Sequence, residues 1–566
     1  MGYWRREAGN FSRGAVLYRR WSPAGTECVK RWVLRQPLYA ENRVGNAMKK
    51  ALFALAVAAL SAWAGEGPGG DPFQSAGGAV PGNRIDDLVV AELTARGIEP
   101  ALPSSDAVFV RRVYLDVIGT LPQVNEVREF LEDTNPDKRA ALIDRLLERE
   151  EFADYWALKW CDVLRVKAEF PINLWPNAVQ AYAKWLHDAI QANMPYDAFA
   201  RALLTSSGSN FRVPPVNFYR AMQGRDPSTI ADAAALTFMG VRLDGWPEAR
   251  RAELAVFFSR VAYKPTAEWK EEIVLLDPSA VTPLDAVFPD GQPVHIEAGD
   301  DPRAVFADWL TAPENPYFAR NVVNRVWAWL MGRGIVHEPD DIRPDNPPVN
   351  PALLAYLEDE LVRADYDLRQ VCRLILNSRT YQQSSIPRSE HAEAETLFGH
   401  YLVRQLDAEV LIDALCGVLG SRESYLSMVP EPFTYVPDHQ RTILLADGSI
   451  TSPFLEMFGR PSRDTGLASE RNLQPTDGQR LHMLNSTHIQ QKIERSWRLR
   501  QLVETGKGDT ERMARLLYLH ILSRYPTAEE TGVVKQYFER GDVTRAEAAA
   551  DLAWALINSK EFLYRH

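Results

Sequence analysis

Cysteine is scarce in this chain, four among 566 residues. Three lie beyond residue 64, at Cys161, Cys372 and Cys416, and no two are close in sequence. The C-x-x-C spacings of zinc and dithiol redox sites are therefore missing. Cys161 follows the aromatic run Trp156-Ala157-Leu158-Lys159-Trp160, and the other two sit in Leu/Ile/Val-rich helical patterns. Buried free thiols fit that setting; one disulfide with one thiol left over is the alternative in an oxidising compartment. The ten histidines form neither H-x-x-x-H nor H-E-x-x-H, so no metal or other cofactor is expected. No stretch after residue 64 is apolar for 18 residues, so no membrane span is expected there. Ser206, Ser207 and Ser209 lack the G-x-S-x-G frame of a nucleophile elbow. Basic charge is in deficit too: 64 Lys and Arg against 75 Asp and Glu give a formal charge of −11. Such a body repels polyanions, which argues against nucleic acid as a partner.

One short apolar run does occur, from Ala51 to Leu60. Met48-Lys49-Lys50 precedes it and Ser61-Ala62-Trp63-Ala64 follows. A positive n-region, an apolar h-region and an A-x-A site make a secretory signal peptide over 48–64, cut between Ala64 and Gly65. A signal is read at an N-terminus, so Met48 is the expected start and residues 1–47 are expected not to belong to the native protein. A single anchor with a basic tail is the alternative, but the run is short for a ~30 Å hydrocarbon core. Export to the periplasm or cell surface follows. The first 64 residues carry 11 basic and three acidic side chains, so their removal leaves a formal charge of −19.

About 500 residues then remain, enough for two or three domains with full cores. Residues 65–84 are Gly/Pro-rich and read as a flexible leader. From Asp86 to about Tyr263 the pattern is helical, with Leu142, Leu146 and Leu147 on one face and Trp156, Trp160, Val163 and Leu164 on another. Ile273-Val274-Leu275-Leu276 and Val294-His295-Ile296 are β-like, with the turn signal Pro289-Asp290-Gly291 between them. Helices resume at Asp301, pause in a loop-rich insertion over 421–453, and return from Thr476. The expected architecture is mostly α: an N-terminal helical domain at 85–265, a β-containing linker at 266–299, and a C-terminal helical domain at 300–566.

Two segments repeat each other. Val113-Tyr114-Leu115-Asp116-Val117-Ile118-Gly119-Thr120-Leu121-Pro122, then Glu126 and Phe152, parallels Leu517-Tyr518-Leu519-His520-Ile521-Leu522-Ser523-Arg524-Tyr525-Pro526, then Glu530 and Phe562. Ile375-Leu376-Asn377-Ser378 through Tyr381 echoes the same ending. A reused three-helix packing unit explains this, with an aromatic plug closing each copy.

The densest polar region is 315–348. Asn315-Pro316 suits a helix start; Phe318, Val322, Val326 and Trp329 should face the core, leaving Arg320, Asn321, Asn324 and Arg325 as a polar stripe. Gly332-Arg333-Gly334 ends the helix, and a loop with Asp340, Asp341, Arg343 and Asn346 follows. Arg–carboxylate forks between stripe and loop make a structural latch; an acid or base at Asp340 or Asp341 beside an arginine makes a site. A second cluster is Arg460, Arg463, Glu470 and Arg471, an ion-paired surface turn or an anion-binding loop. Trp175 and Trp246, beside prolines, are the candidates for a carbohydrate-stacking platform. No catalytic residue can be assigned, and whether there is catalysis stays open.

These residues have a family look. Phe109-Val110-Arg111-Arg112 with 113–122, Asp308-Trp309-Leu310, Asn315-Pro316-Tyr317-Phe318-Ala319-Arg320, Asn324-Arg325-Val326-Trp327, Gly332-Arg333-Gly334, Phe458-Gly459-Arg460-Pro461 and Asn558-Ser559-Lys560-Glu561-Phe562 together resemble the paired planctomycete cytochrome-C-associated domains of unknown function. The resemblance covers nearly all of 85–566 and implies an exported protein of unestablished activity. Many relatives carry C-x-x-C-H, a haem attachment, directly after the segment matching 236–242. Here Leu243-Asp244-Gly245-Trp246-Pro247-Glu248 stands there, and Leu467-Ala468-Ser469 replaces the Cys expected before Glu470-Arg471. The expected function is thus a non-catalytic binding or scaffold protein with an envelope protein as partner. The alternative is a protein that binds or acts on polysaccharide through Asp340/Asp341; a redox partner ranks last.

Overall fold

Capping chemistry sets where the helices begin. Asn83, Ser105, Asp226, Asp301, Asn350, Asp367 and Ser378 each offer a side-chain oxygen to a free N–H of the first turn. Behind those caps, apolar residues at helical spacing supply the buried faces. The result, a computed structural model, describes residues 71–75, 82–506, 508–540 and 543–566. The expected export signal at 48–64, its Ala64–Gly65 cut, residues 1–47 and most of the leader lie outside the described residues.

The described chain is mostly helical, with a small β element between its N- and C-terminal helices, as its sequence predicts. The helical pattern ends slightly earlier than read: Val261–Pro265 is a strand that pairs antiparallel with Glu272–Leu276, whose other edge takes Gly208–Ser209. The turn at 288–292 closes a separate hairpin of Leu284–Val287 on Pro293–Ile296. A third two-stranded sheet sets Arg404–Gln405 against Tyr564–Arg565. Cys161, Cys372 and Cys416 are all free.

The repeated segments form matching units. Asp106–Val117, Val124–Glu132 and Lys138–Leu147 make the first trio; Thr510–Leu522, Ala528–Phe538 and Arg545–Ile557 make the last. In both, a glutamate at the third helical position caps its own helix: Gln123 N donates to Glu126 Oε2 at 2.7 Å, and Thr527 N to Glu530 Oε2 at 2.7 Å. The shared ending is also real. Asn377 Nδ2 donates to Arg373 O and Asn558 Nδ2 to Trp554 O, each at 2.9 Å, while Ser378 and Ser559 donate back to Ile375 O and Leu556 O, each at 2.6 Å. The plugs Phe152, Tyr381 and Phe562 are buried.

The first trio is bound to the last by buried guanidiniums. Arg111 donates to Ile521 O at 3.0 Å and Phe562 O at 3.1 Å, and Arg112 to Tyr381 O, Gln383 O and His566 O at 2.7, 2.8 and 2.8 Å. One hydrophobic cluster runs from Ile85 to Phe562, so the described residues share a single core.

Candidate functional site

The helix Phe318–Met331 differs from its expected form in an informative way. Asn315 Oδ1 accepts from Tyr317 N and Phe318 N, both at 3.0 Å, so the first turn starts two residues late. Phe318, Val322 and Val326 are in the core as expected. Trp329 is not: it is half-buried and lines a cavity. The polar stripe is mostly interior, since Asn321, Asn324 and Arg325 are at most 1% exposed. Arg320 alone turns outward, to Glu358 at 2.8 Å.

Each buried member has a stated task. Asn321 Nδ2 donates to Thr237 O at 2.9 Å. Asn324 makes two bonds to Val336, donating to its carbonyl at 3.0 Å and accepting from its N–H at 2.9 Å, which closes the turn after Gly332. Arg325 pairs with Asp340 at 2.9 Å, and Asp340 Oδ2 accepts from Ala468 N at 2.5 Å. Asp341 pairs with Arg343 at 3.2 Å near the surface, where Arg343 also reaches Asp345, and Asn346 Nδ2 donates to Asp341 O at 2.8 Å. Asp340 therefore ties the first cluster to the loop that carries the second.

The second cluster is more buried than its Gly/Pro-rich sequence suggests. Arg460 pairs with Glu409 at 3.2 Å and donates to Leu445 O and Asp447 O; Arg463 pairs with Asp162 at 2.8 Å. Arg471 spans Asp162 and Glu409, each at 2.7 Å. Glu470 accepts from Thr465 N at 2.6 Å and Asp464 N at 3.2 Å, folding the loop on itself.

Both clusters border one cavity of ≈ 400 Å³, and sequence reasoning missed half of its wall. The helix Glu150–Val163 supplies Lys159 and Asp162, with Tyr155 one turn earlier on the same face. Asp407, just before the helix Ala408–Leu419, is a third contributor. Register in the third sheet sets Arg404 directly opposite Arg565. Like charges so placed repel, and Asp116 relieves this by taking Arg404 at 2.8 Å and Arg565 at 3.1 Å. The only sequence signal for Lys159 was a lone charge between Trp156 and Trp160.

The electrostatics divide sharply. Burial drives the Asp407 carboxyl upward, but Arg565, Lys159 and Arg471 outweigh it and hold the group well below the usual carboxylate range. Burial likewise opposes ionisation of Asp162, and Arg471 and Arg463 overcome it. Lys159 goes the other way. Burial pushes its amine down to about 8, Asp407 at 3.9 Å resists, and Arg565, Arg471 and Arg404 add to the depression. Its ammonium rests over the rings of Tyr155 and Trp329, 4.4 and 5.7 Å from their centroids. The arrangement holds fixed charges; each carboxylate among Asp162, Asp340 and Asp407 is already paired with arginine.

Trp175 and Trp246 belong to different surroundings. Trp175 meets Phe433 and Trp269 edge-on at 5.6 and 6.5 Å, with Lys270 over both tryptophans, whereas Trp246 lies under Arg250 at 4.3 Å.

Compared with known families, residues 84–243 match PSCyt2, protein of unknown function (DUF1549), and residues 302–538 match PSD1, protein of unknown function (DUF1553). No curated protein and no solved structure matches the chain.

Proposed function

Since this chain belongs to the paired PSCyt2 and PSD1 families, neither with an assigned activity, its function has to be argued from the site, and we propose an exported, non-catalytic binding protein of the periplasm or cell surface whose small ligand occupies the cavity described above. One observation carries this reading: Lys159 and Asp162 from the PSCyt2 segment and Arg325, Arg333 and Arg471 from the PSD1 segment line the same ≈ 400 Å³ space. That volume suits a small molecule. Ion pairing of Asp162, Asp340 and Asp407 leaves these carboxylates as fixed charges, which favours binding over acid–base chemistry.

Native mass spectrometry of the protein purified from its own cell envelope tests this. A small molecule retained by the natural protein and lost from Ser469→Trp, which fills the cavity, is the expected result. Retention by both proteins would move the site elsewhere, and recovery of the protein only from the cytoplasm would remove export.

A polysaccharide partner has one observation in its favour, the surface cluster of Trp175, Trp269 and Phe433, in which Trp269 is 68% exposed. Retarded migration through gels containing soluble polysaccharide, abolished by Trp269→Ala, would support it.

A further inference from the structure

The six basic side chains of the cavity wall, Lys159, Arg325, Arg333, Arg404, Arg471 and Arg565, outnumber its three acids, Asp162, Glu338 and Asp407. Four of the guanidiniums are neutralised by carboxylates within hydrogen-bonding reach: Arg325 by Asp340, Arg404 by Asp116, Arg471 by Asp162 and Glu409, and Arg565 by Asp407. Two cations are left. Asp407, the carboxylate nearest to Lys159, already accepts from Tyr155 Oη at 2.6 Å and from Arg565 at 3.0 Å, so the ammonium at 3.9 Å has no hydrogen bond among the described residues. Arg333 has neither an ion pair nor a hydrogen bond among the described residues, and its Nε is buried without an acceptor. Arg325 Nη1 and Arg404 Nη1 are buried and unmatched as well. Glu338 does not supply the missing charge: it stands 4.0 Å from Arg242.

We propose that the cavity is an oxyanion site, which takes a small ligand bearing a carboxylate, sulfate or phosphate group on Lys159 and Arg333. The proposal rests on the reading that the cavity holds the ligand, and it adds that ligand's chemical class. Cations shielded from water without hydrogen-bond acceptors cost free energy, and an incoming oxyanion provides further countercharge and the acceptors that Lys159 and Arg333 lack. The basic surplus of the cavity wall contrasts with the chain as a whole, which carries −11. Its volume admits a sugar acid or an inorganic oxyanion. Beside the charged groups, the half-buried indole of Trp329 offers the ligand's carbon skeleton an apolar surface.

Titration calorimetry on the full chain at constant ionic strength tests this, with sodium galacturonate, sodium sulfate, sodium phosphate and neutral galactose as probes. Binding of galacturonate but not galactose is expected if the group recognised is a carboxylate; sulfate or phosphate binding alone assigns a tetrahedral oxyanion. Lys159→Met and Arg333→Gln should each weaken binding about tenfold or more, Lys159→Arg should largely restore it, and Arg373→Gln, on the surface opposite Asp144, should leave it unchanged. Affinity should fall as pH rises through about 8, where the Lys159 amine, facing Tyr155, Asp407, Arg404, Arg471 and Arg565, gives up its proton. Equal binding of galactose and galacturonate, lost in Ser469→Trp, would overturn the oxyanion assignment and leave the cavity reading standing. Anion binding that survives in both variants and in Ser469→Trp would overturn both, and no binding of any probe would overturn the oxyanion assignment alone.

Discussion

The Lys159 ammonium lies over two aromatic rings with a single, shared counter-ion, and its proton affinity reports the cost. Its amine titrates near 8 in the folded protein, against the ordinary 10.5. Below about pH 8 the lysine is charged both folded and unfolded, so the full penalty is present. Between about 8 and 10.5 the unfolded chain holds the extra proton, so stability rises with pH through that window as the penalty is relieved. Lys159→Met should therefore stabilise the unliganded protein at pH 7, on the order of 2 kcal/mol, and the gain should fade towards pH 10. Thermal melts of the two proteins across pH 6–10 check this. A lower melting temperature for Lys159→Met at pH 7 would mean that the lysine serves the fold. A destabilising charge kept in a cavity is what a binding role predicts.

Among the elements, the turn after Phe318–Met331 carries Arg333 into place. Gly332 ends the helix at φ 84°, in the left-handed region. Gly334 has a different reason: a Cβ there would run into the carbonyl oxygen of Val336 and the amide of Asn324. Asn324 fixes the turn from below through both backbone groups of Val336, all of them buried. Asn324→Ala leaves that N–H and C=O without partners, a loss of about 2 kcal/mol or more. A lowered urea midpoint with an unchanged slope is the expected observation. Much of this was readable in advance. The Asn-Pro start and the Gly-Arg-Gly stop predict a helix and a tight turn, and the alternating Arg and Asp predict ion pairs between helix and loop, as a latch or as a site. The burial of the stripe was not readable. Polar residues at i, i+1, i+4 and i+5 read as a stripe that meets the following loop, yet three of the four are interior, because neighbouring carbonyls and Asp340 supply their partners. Periodicity separates polar from apolar faces and says nothing about whether another element satisfies the polar one.

Across the whole molecule, the repeat units at the two ends of the described chain are linked through Arg111 and Arg112, whose five hydrogen bonds all go to carbonyls beyond residue 380. A fragment of residues 82–265 would strand both guanidiniums and open the shared core. We expect it to show no cooperative thermal transition by circular dichroism, whereas residues 82–566 should melt in one. A cooperative melt of the fragment would show that the PSCyt2 segment is an independent domain. The same interlocking joins the two family segments whose residues line the cavity, so its walls cannot separate without exposing the core.

By itself the sequence determined what depends on neighbours a few residues away: the caps, the helix faces, the glutamate box of each repeat, the aromatic plugs and the short β element. These follow from local hydrogen bonding and from which side chains avoid water. The folded structure alone decided which charges meet. Lys159, Asp407, Arg404 and Arg565 are separated by up to about 400 residues, and nothing within their own segments shows that they share a wall. Two clusters that read separately as latch and surface turn became one cavity because Asp340 reaches Ala468. Coulomb interactions act through space over a few ångströms, so the balance of charge that makes the cavity positive inside an acidic protein exists only once the chain has closed on itself.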